Sequence, residues 1–483
     1  MDWILTCDRY FDGESIVERP TRVEVDDGRI VKVSPQAEAA TNGHVDASGA
    51  TRGRECASGS RETSSTRHAS APTLLPGLID GHAHVVGYTS RPSAGNPYVL
   101  DENHLRLLIC NGVTTARDAG NSLERMEYLH WWIGHNDGPE VVPTSPVLSV
   151  PPFDWAFTRI TETPDAARKT IRQLDGEGVS TVALHHRLSP SVVRAATDEA
   201  QNRGLHVSAD VEAISADELL DAGVDCIERV KNLLAPGADS AGPPSSIAEE
   251  MRRWSRVDLD ASRVNRLVER LAESEVVVTT GLLSTERWCS VDAMVEDPHL
   301  EYMTTVMPAA QKMLEMRQPM GMMMGKQPFR EHLNIPKLSS EAEAEVEEGL
   351  DTLRCFTSCL ADAGVRLVVG TDTPKPSIVP GFSVHQEIEL LVQCGLSTTE
   401  ALRAATAEPG ALLYDRRDAT GEGEGDPQRG AIREGLRADL LLVDGDPSSD
   451  ITTTRNVQTV FSGGRKVDRQ DLFAPIQASV DAL

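Results

Sequence analysis

Two histidines close an apolar run in Leu74-Leu75-Pro76-Gly77-Leu78-Ile79-Asp80-Gly81-His82-Ala83-His84. Spaced i, i+2, they leave the same face of a β-strand. The end of one strand can therefore offer two imidazoles to one metal ion. Such a pair suits Zn, Fe, Ni or Cu better than Mg or Ca.

A metal site needs elements that bring further ligands to that strand end. The chain has 483 residues, of which 40% are hydrophobic. That is enough for one large barrel plus a satellite domain. The net charge is −27, from 74 acidic and 47 basic residues. This balance opposes binding to nucleic acid or to an anionic membrane surface. No apolar run reaches the length of a membrane span, and Met1-Asp2-Trp3 does not open a signal peptide. Eight cysteines are scattered, with no Cys-x-x-Cys. Reduced thiols in a cytoplasmic protein follow as the expectation.

The N-terminus alternates like short strands at Trp3–Leu5, Arg22–Val25 and Arg29–Val33, with Asp12-Gly13 and Asp27-Gly28 as turns. Residues 52–72 are rich in Ser, Arg, Thr and Ala without periodicity and read as a flexible insertion. Eight apolar runs follow, alternating with helical patterns: Leu74–Ile79, Val113–Ala116, Glu140–Leu148, Thr181–His185, His206–Ala209, Asp225–Glu228, Val276–Thr279 and Arg366–Gly370. Eight strand–helix repeats predict an α/β fold, a (β/α)8 TIM barrel with its chemistry at the C-terminal strand ends. The tail returns to β character at Ala438–Val443 and Val457–Phe461. The expected division is a β-sandwich from residues 1–73 and 409–483, with the barrel over 74–408. A long connection at 284–349 holds nine of the twelve methionines. It reads either as a lid over an apolar or aromatic substrate or as a packed insertion or oligomer contact.

The order of motifs resembles the amidohydrolase superfamily over nearly the whole chain, nearest its imidazolonepropionase-like and prolidase-like branch. The resemblance rests on Pro76–His84, Asn111–Asp118, Gly370-Thr371-Asp372, Leu402–Thr406 and Gly435–Pro447. It implies hydrolysis of an amide or ester bond, or ring deamination, with one or two divalent metals. It also makes Asp372 both a ligand and the general base and acid that moves the water's proton.

The chain departs from the two-metal pattern of that superfamily at three places. Ala183 stands where a carboxylated lysine is expected on the fourth strand, Asp210 at the fifth-strand histidine, and Arg229 at the sixth-strand histidine. His206 lies about 13 Å down its strand from Asp210, too deep for the rim. His185 sits about 7 Å nearer the rim than Ala183 and could replace the missing ligand. The expected centre is one divalent ion on His82, His84, Asp372 and Asp210. Zinc is the first choice, manganese or iron are alternatives, and a metal-free site stays open. Arg229 could bind a substrate carboxylate, or pair with Glu228, Asp210 or Asp372. His185 and Glu228 complete the expected substrate-binding set.

Three functions compete. The first is a mononuclear metal hydrolase of a small-molecule amide, ester or cyclic amide. The second is a metal-free enzyme for cyclisation, dehydration or isomerisation through clustered carboxylates and histidines. The third is a catalytically silent binding protein. A homo-oligomer is compatible with each.

Overall fold

The computed structural model describes residues 1–36, 66–85, 99–151, 157–185, 187–211, 214–234, 244, 246–307, 310–316, 337–414 and 429–482. The chain opens with β1 (Trp3–Phe11), β2 (Ile16–Val17), β3 (Thr21–Asp26), β4 (Arg29–Pro35) and β5 (Arg67–Pro76). The β3–β4 turn is Asp27-Gly28, both at positive φ, the geometry a two-residue hairpin needs. Strand β5 runs parallel to β1, from Trp3↔Arg67 to Tyr10↔Leu74. The flexible insertion expected over 52–72 is thus corrected at its end, because residues 67–72 are strand. Pairing to β1 and packing of Ala69 and Ala71 on the core supply what local propensity lacks. Residues 52–65 lie outside the described residues.

The parallel strands come next: β6 (Leu78–Ala83), β7 (Val113–Asp118), β8 (Glu140–Pro143), β9 (Leu148–Ser149), β10 (Arg159–Ile160), β11 (Thr181–His185), β12 (His206–Asp210), β13 (Cys226–Ile227), β14 (Val277–Thr279) and β15 (Arg366–Val368). They form a three-stranded sheet, β6-β7-β8, and a seven-stranded sheet, β10-β9-β11-β12-β13-β14-β15. Every one of the eight apolar runs contains a strand, but two are divided. Leu74–Ile79 breaks at Gly77, where an added Cβ would lie 2.1 Å from Thr114 Oγ1. Glu140–Leu148 breaks at Pro143 and Pro146, which cannot donate to a ladder. Backbone bonds link the two sheets on both sides: Ser145 N donates to Thr181 O (2.8 Å), and Gly81 N donates to Val369 O (2.8 Å).

The last strands, β16 (Leu440–Val443), β17 (Val457–Ser462) and β18 (Arg465–Lys466), return to the first sheet. Its order is β18-β17-β16-β5-β1-β3-β4, with β2 on β1. This sheet curls over its own core, and Trp3 meets Phe461 edge to face at 5.0 Å.

The Met-rich connection is packed where it is described. Met294, Met303 and Met313 are buried against Leu107, Val379 and Ile476. Met320 and Met322–Met324 lie outside the described residues, as does the Gly/Glu/Asp-rich stretch 415–428. No helix among the described residues is long and apolar enough to cross a membrane. All seven described cysteines are free thiols.

One buried carboxyl ties the rim together. Glu387, on helix Phe382–Gln393, accepts from Leu282 N (2.8 Å) and Leu283 N (2.7 Å) at the start of helix Leu282–Cys289. Burial pushes its pKa up to about 7, against bonds from Thr280, Leu283 and Leu282 that favour the anion. A raised carboxyl pKa means the folded state holds the proton where the unfolded state has lost it. Stability should therefore fall as pH rises from about 4.5 to about 7, by up to about 1.4 kcal/mol per pH unit. Urea unfolding of wild type and Glu387→Gln across this window checks it. Equal slopes in the two proteins would remove Glu387 as the cause.

Candidate active site

Two chain segments meet at the C-terminal ends of β6 and β15. Asp372 N donates to His82 O (2.8 Å), and His84 N donates to Thr373 O (2.6 Å). These bonds zip the end of β6 to the segment after β15. Gly370 is required here, because an added Cβ would stand 2.6 Å from the Cβ of His82. Gly370→Ala should displace His82 and lower turnover by about 10²-fold, since an error of about 1 Å in a reacting group costs that much. Steady-state rates on folded variant protein check this, and a change under threefold would contradict it.

The result is a buried group of His82, His84 and Asp372, with one ligand atom from each lying within 4.8 Å of the others. Asp372 Oδ1 is 3.2 Å from His84 Nε2 and 3.7 Å from His82 Nε2. His82 Nε2 and Asp372 Oδ1 are buried without a hydrogen-bond partner. Leaving such atoms unmade is costly unless something else satisfies them. Two imidazoles and a carboxylate around these orphaned atoms fit a divalent transition metal.

The other oxygen of Asp372 faces cations. Arg229 Nη2 lies 2.8 Å from Oδ2, and Lys375 Nζ also donates to it. Burial opposes charge on Asp372, but Arg229 and then Lys375 outweigh it and hold the carboxyl well below its usual range. Burial pushes the Lys375 ammonium down to about 8 despite the carboxylate beside it. Lys375 also sits over the Trp288 ring, 5.7 Å from its centroid.

Arg229 bridges two acids, with Nη1 3.2 Å from Asp210 Oδ2. Its φ is 67° and that of Asp372 is 63°, the left-handed region that non-glycine residues rarely enter. Asp210 does not join the metal group. It accepts from Asn232 Nδ2 (2.7 Å), and His185 Nε2 lies 3.6 Å from its Oδ2. Arg229 and His185, together with the Coulombic pull of Lys231, overcome burial and lower the Asp210 pKa.

Glu228, expected to face substrate, points elsewhere. It is buried beneath His82 and accepts from His82 Nδ1 (2.6 Å), Arg117 Nη2 (2.6 Å), Thr279 Oγ1 (2.8 Å) and Ser208 Oγ. Burial works against its charge, but Arg117 and then His82 hold the carboxyl well below its ordinary range. Ala183 is buried and aligned with Ser208, while His185 is aligned with Asp210. His186 lies outside the described residues. His206 is at the other end of β12, 3.8 Å from Asp225, beside a surface cavity also lined by Glu275 and Arg366 that contains none of the candidate ligands.

Lys375, Arg117 and Asn232 were not legible as site residues. Lys375 carried one signal, its position three residues after Asp372 on the same rim. His104 is also buried; burial first and the nearby His84 second push its pKa down to about 3.

Comparison with known proteins agrees with this architecture. The sequence matches the amidohydrolase family over residues 73–467. No curated protein sequence matches the chain. Similar solved structures include the bottromycin amidohydrolase, 17% identical over 99% of this chain and 90% of that one, with a TM-score of 0.64. A prolidase complexed with N-methylphosphonate-L-proline is 19% identical over 97% and 100%, with a TM-score of 0.62. The A. niger ochratoxinase is 18% identical over 96% and 95%, with a TM-score of 0.60. At these identities the structures are alike in fold. The family match spans most of the sequence, so the chain belongs to the amidohydrolase family, hydrolases that act on C–N bonds.

Proposed function

We propose that the protein is a mononuclear metal-dependent hydrolase of an amide, ester or cyclic amide bond in a small molecule. One observation carries the reading: ligand atoms of His82, His84 and Asp372 converge within 4.8 Å around buried, unsatisfied atoms. Zinc suits this donor set first, and manganese or iron next. A divalent ion held there would polarise the scissile carbonyl and acidify its bound water. Asp372 holds the metal side through Oδ1 and is the group placed to accept the water's proton. Arg229 and Lys375 keep it anionic. Arg229 and His185 are the donors placed to meet a polar group of the substrate. Prolidase and amidohydrolase among the similar folds support starting a substrate panel with amides.

The same reading takes a closed (β/α)8 barrel as far as residue 408, beginning near Gly77 rather than at 74, with the segments on either side as the small β domain. The bonds from Ser145 to Thr181 and from Gly81 to Val369 support closure. The pairing of β5 as far as Pro76 supports a boundary near Gly77. A cytoplasmic location is part of the proposal and agrees with the free thiols.

A second reading has its own observation. Arg117, Arg229 and Lys375 pair with Glu228, Asp210 and Asp372, so three cations already balance three carboxylates. That balance favours a metal-free enzyme. Metal content decides between the two. Elemental mass spectrometry on protein purified without chelator should give about one ion per chain, lost in His82→Ala/His84→Ala. Folded wild type that takes up no zinc, manganese or iron would overturn the hydrolase and leave the metal-free reading.

A further inference from the structure

Glu228 and Arg117 lie below the rim, where they form a buried network under one of the proposed ligands. Both are almost wholly buried, at 2% and 1% exposure. Arg117 leaves β7 and donates through Nε to Gly81 O (2.6 Å) and through Nη2 to Glu228 Oε1 (2.6 Å) and Cys226 Sγ (3.7 Å). Ser208 from β12 donates to the same Oε1. Thr279 from β14 donates to Oε2 (2.8 Å), where the His82 ring also bonds. Four strands, β6, β7, β12 and β14, thus converge on one carboxylate that lies just past β13.

A carboxylate can only accept. Its contact with His82 Nδ1 therefore places a proton on Nδ1. In the singly protonated ring the other nitrogen, Nε2, then carries the lone pair, and it faces Asp372 Oδ1. Orientation and tautomer are both set from below. Pairing of a ligating imidazole with a carboxylate typically controls metal affinity by 10–100-fold. Arg117 supplies the counter-charge that lets an anion persist at this depth.

We infer that Glu228, held by Arg117, is a positioning residue that fixes the His82 ring with its proton on Nδ1 and its Nε2 toward His84 and Asp372. The inference rests on the metal-hydrolase reading for its use but not for its test. Glu228 is a positioning residue and not a substrate contact. Its substitution acts through the ring it holds.

The test uses the full chain with histidine labelled in nitrogen-15, and zinc alone as the probe. In metal-free wild type, the His82 resonance should report a protonated Nδ1. Glu228→Gln should shift His82 away from that form, because the amide can donate to Nδ1. Its zinc affinity, measured by chelator competition, should fall about 10–100-fold. Arg117→Met/Glu228→Gln removes both buried charges together and covers the case in which the single variant does not fold. Unchanged His82 shifts, or zinc affinity within twofold in a folded variant, would overturn the inference. Wild type that binds no zinc would sink the hydrolase reading alone. The metal-free nitrogen shifts would then still decide whether Glu228 sets the ring: loss of the Nδ1 proton signal in the variant supports it, and its retention rejects it.

Discussion

Asp372→Asn is expected to lower hydrolysis by about 10²–10⁴-fold, the usual worth of a positioned proton acceptor, and to release the metal. The two oxygens of Asp372 do different things. Oδ1 faces the Nε2 atoms of His82 and His84, and Oδ2 holds Arg229 and Lys375. Asparagine keeps the shape but has one acceptor and two donors. If its oxygen turns to the cations, its NH2 faces the metal side. If its oxygen turns to the histidines, its NH2 meets Arg229 and Lys375. Neither orientation serves both sides. Asp372→Glu keeps the charge but moves it by a methylene, and it should retain metal better than activity. Steady-state rates and metal content on the same preparations separate these effects. Asp372→Asn with near-normal turnover and metal would remove Asp372 from the mechanism.

How far the sequence carries is visible in particular residues. His82 and His84 were legible because their relation is local, two positions on one strand. Asp372 was legible through its Gly-Thr-Asp motif, and the structure adds why the glycine is there: no Cβ fits against His82. Strands such as Thr181–His185 announced themselves by continuous apolar runs. The end of β5 did not, because its alanines and serine gain their stability only from pairing with β1. The partners of Arg229 were beyond reach for a similar reason. Three acids lay within plausible range, and only the register of β12 against β13 and the turn after β15 chose Asp210 and Asp372 over Glu228. Arg117 was hidden because an arginine in an interior strand reads as a surface residue until its buried partner is known.

Arg229→Met should destabilise the metal-free protein by about 3–5 kcal/mol, the cost of stranding buried charge by deleting its partner. The guanidinium is 13% exposed, and the two carboxylates it bridges are 8% and 1% exposed, so solvent cannot replace it. Lys375 remains on Asp372, and Asp210 keeps Asn232 and the more distant His185. Backbone strain is a separate contribution, since Arg229 sits at φ 67°. Arg229→Gly relieves that strain while losing the same charge, so it should be less damaging than Arg229→Met by about 1 kcal/mol or more. Adding Asp210→Asn to Arg229→Met removes the stranded anion and should recover part of the loss. Urea unfolding of the four proteins without metal measures all three effects. A loss under about 1 kcal/mol for Arg229→Met would place the bridge among weak surface pairs. No recovery in the double variant would mean that Asp210 is not the charge left unpaired. The full pattern would show that Arg229 is a cation the fold itself requires, the role a second metal would otherwise have at the Asp210 side of the site.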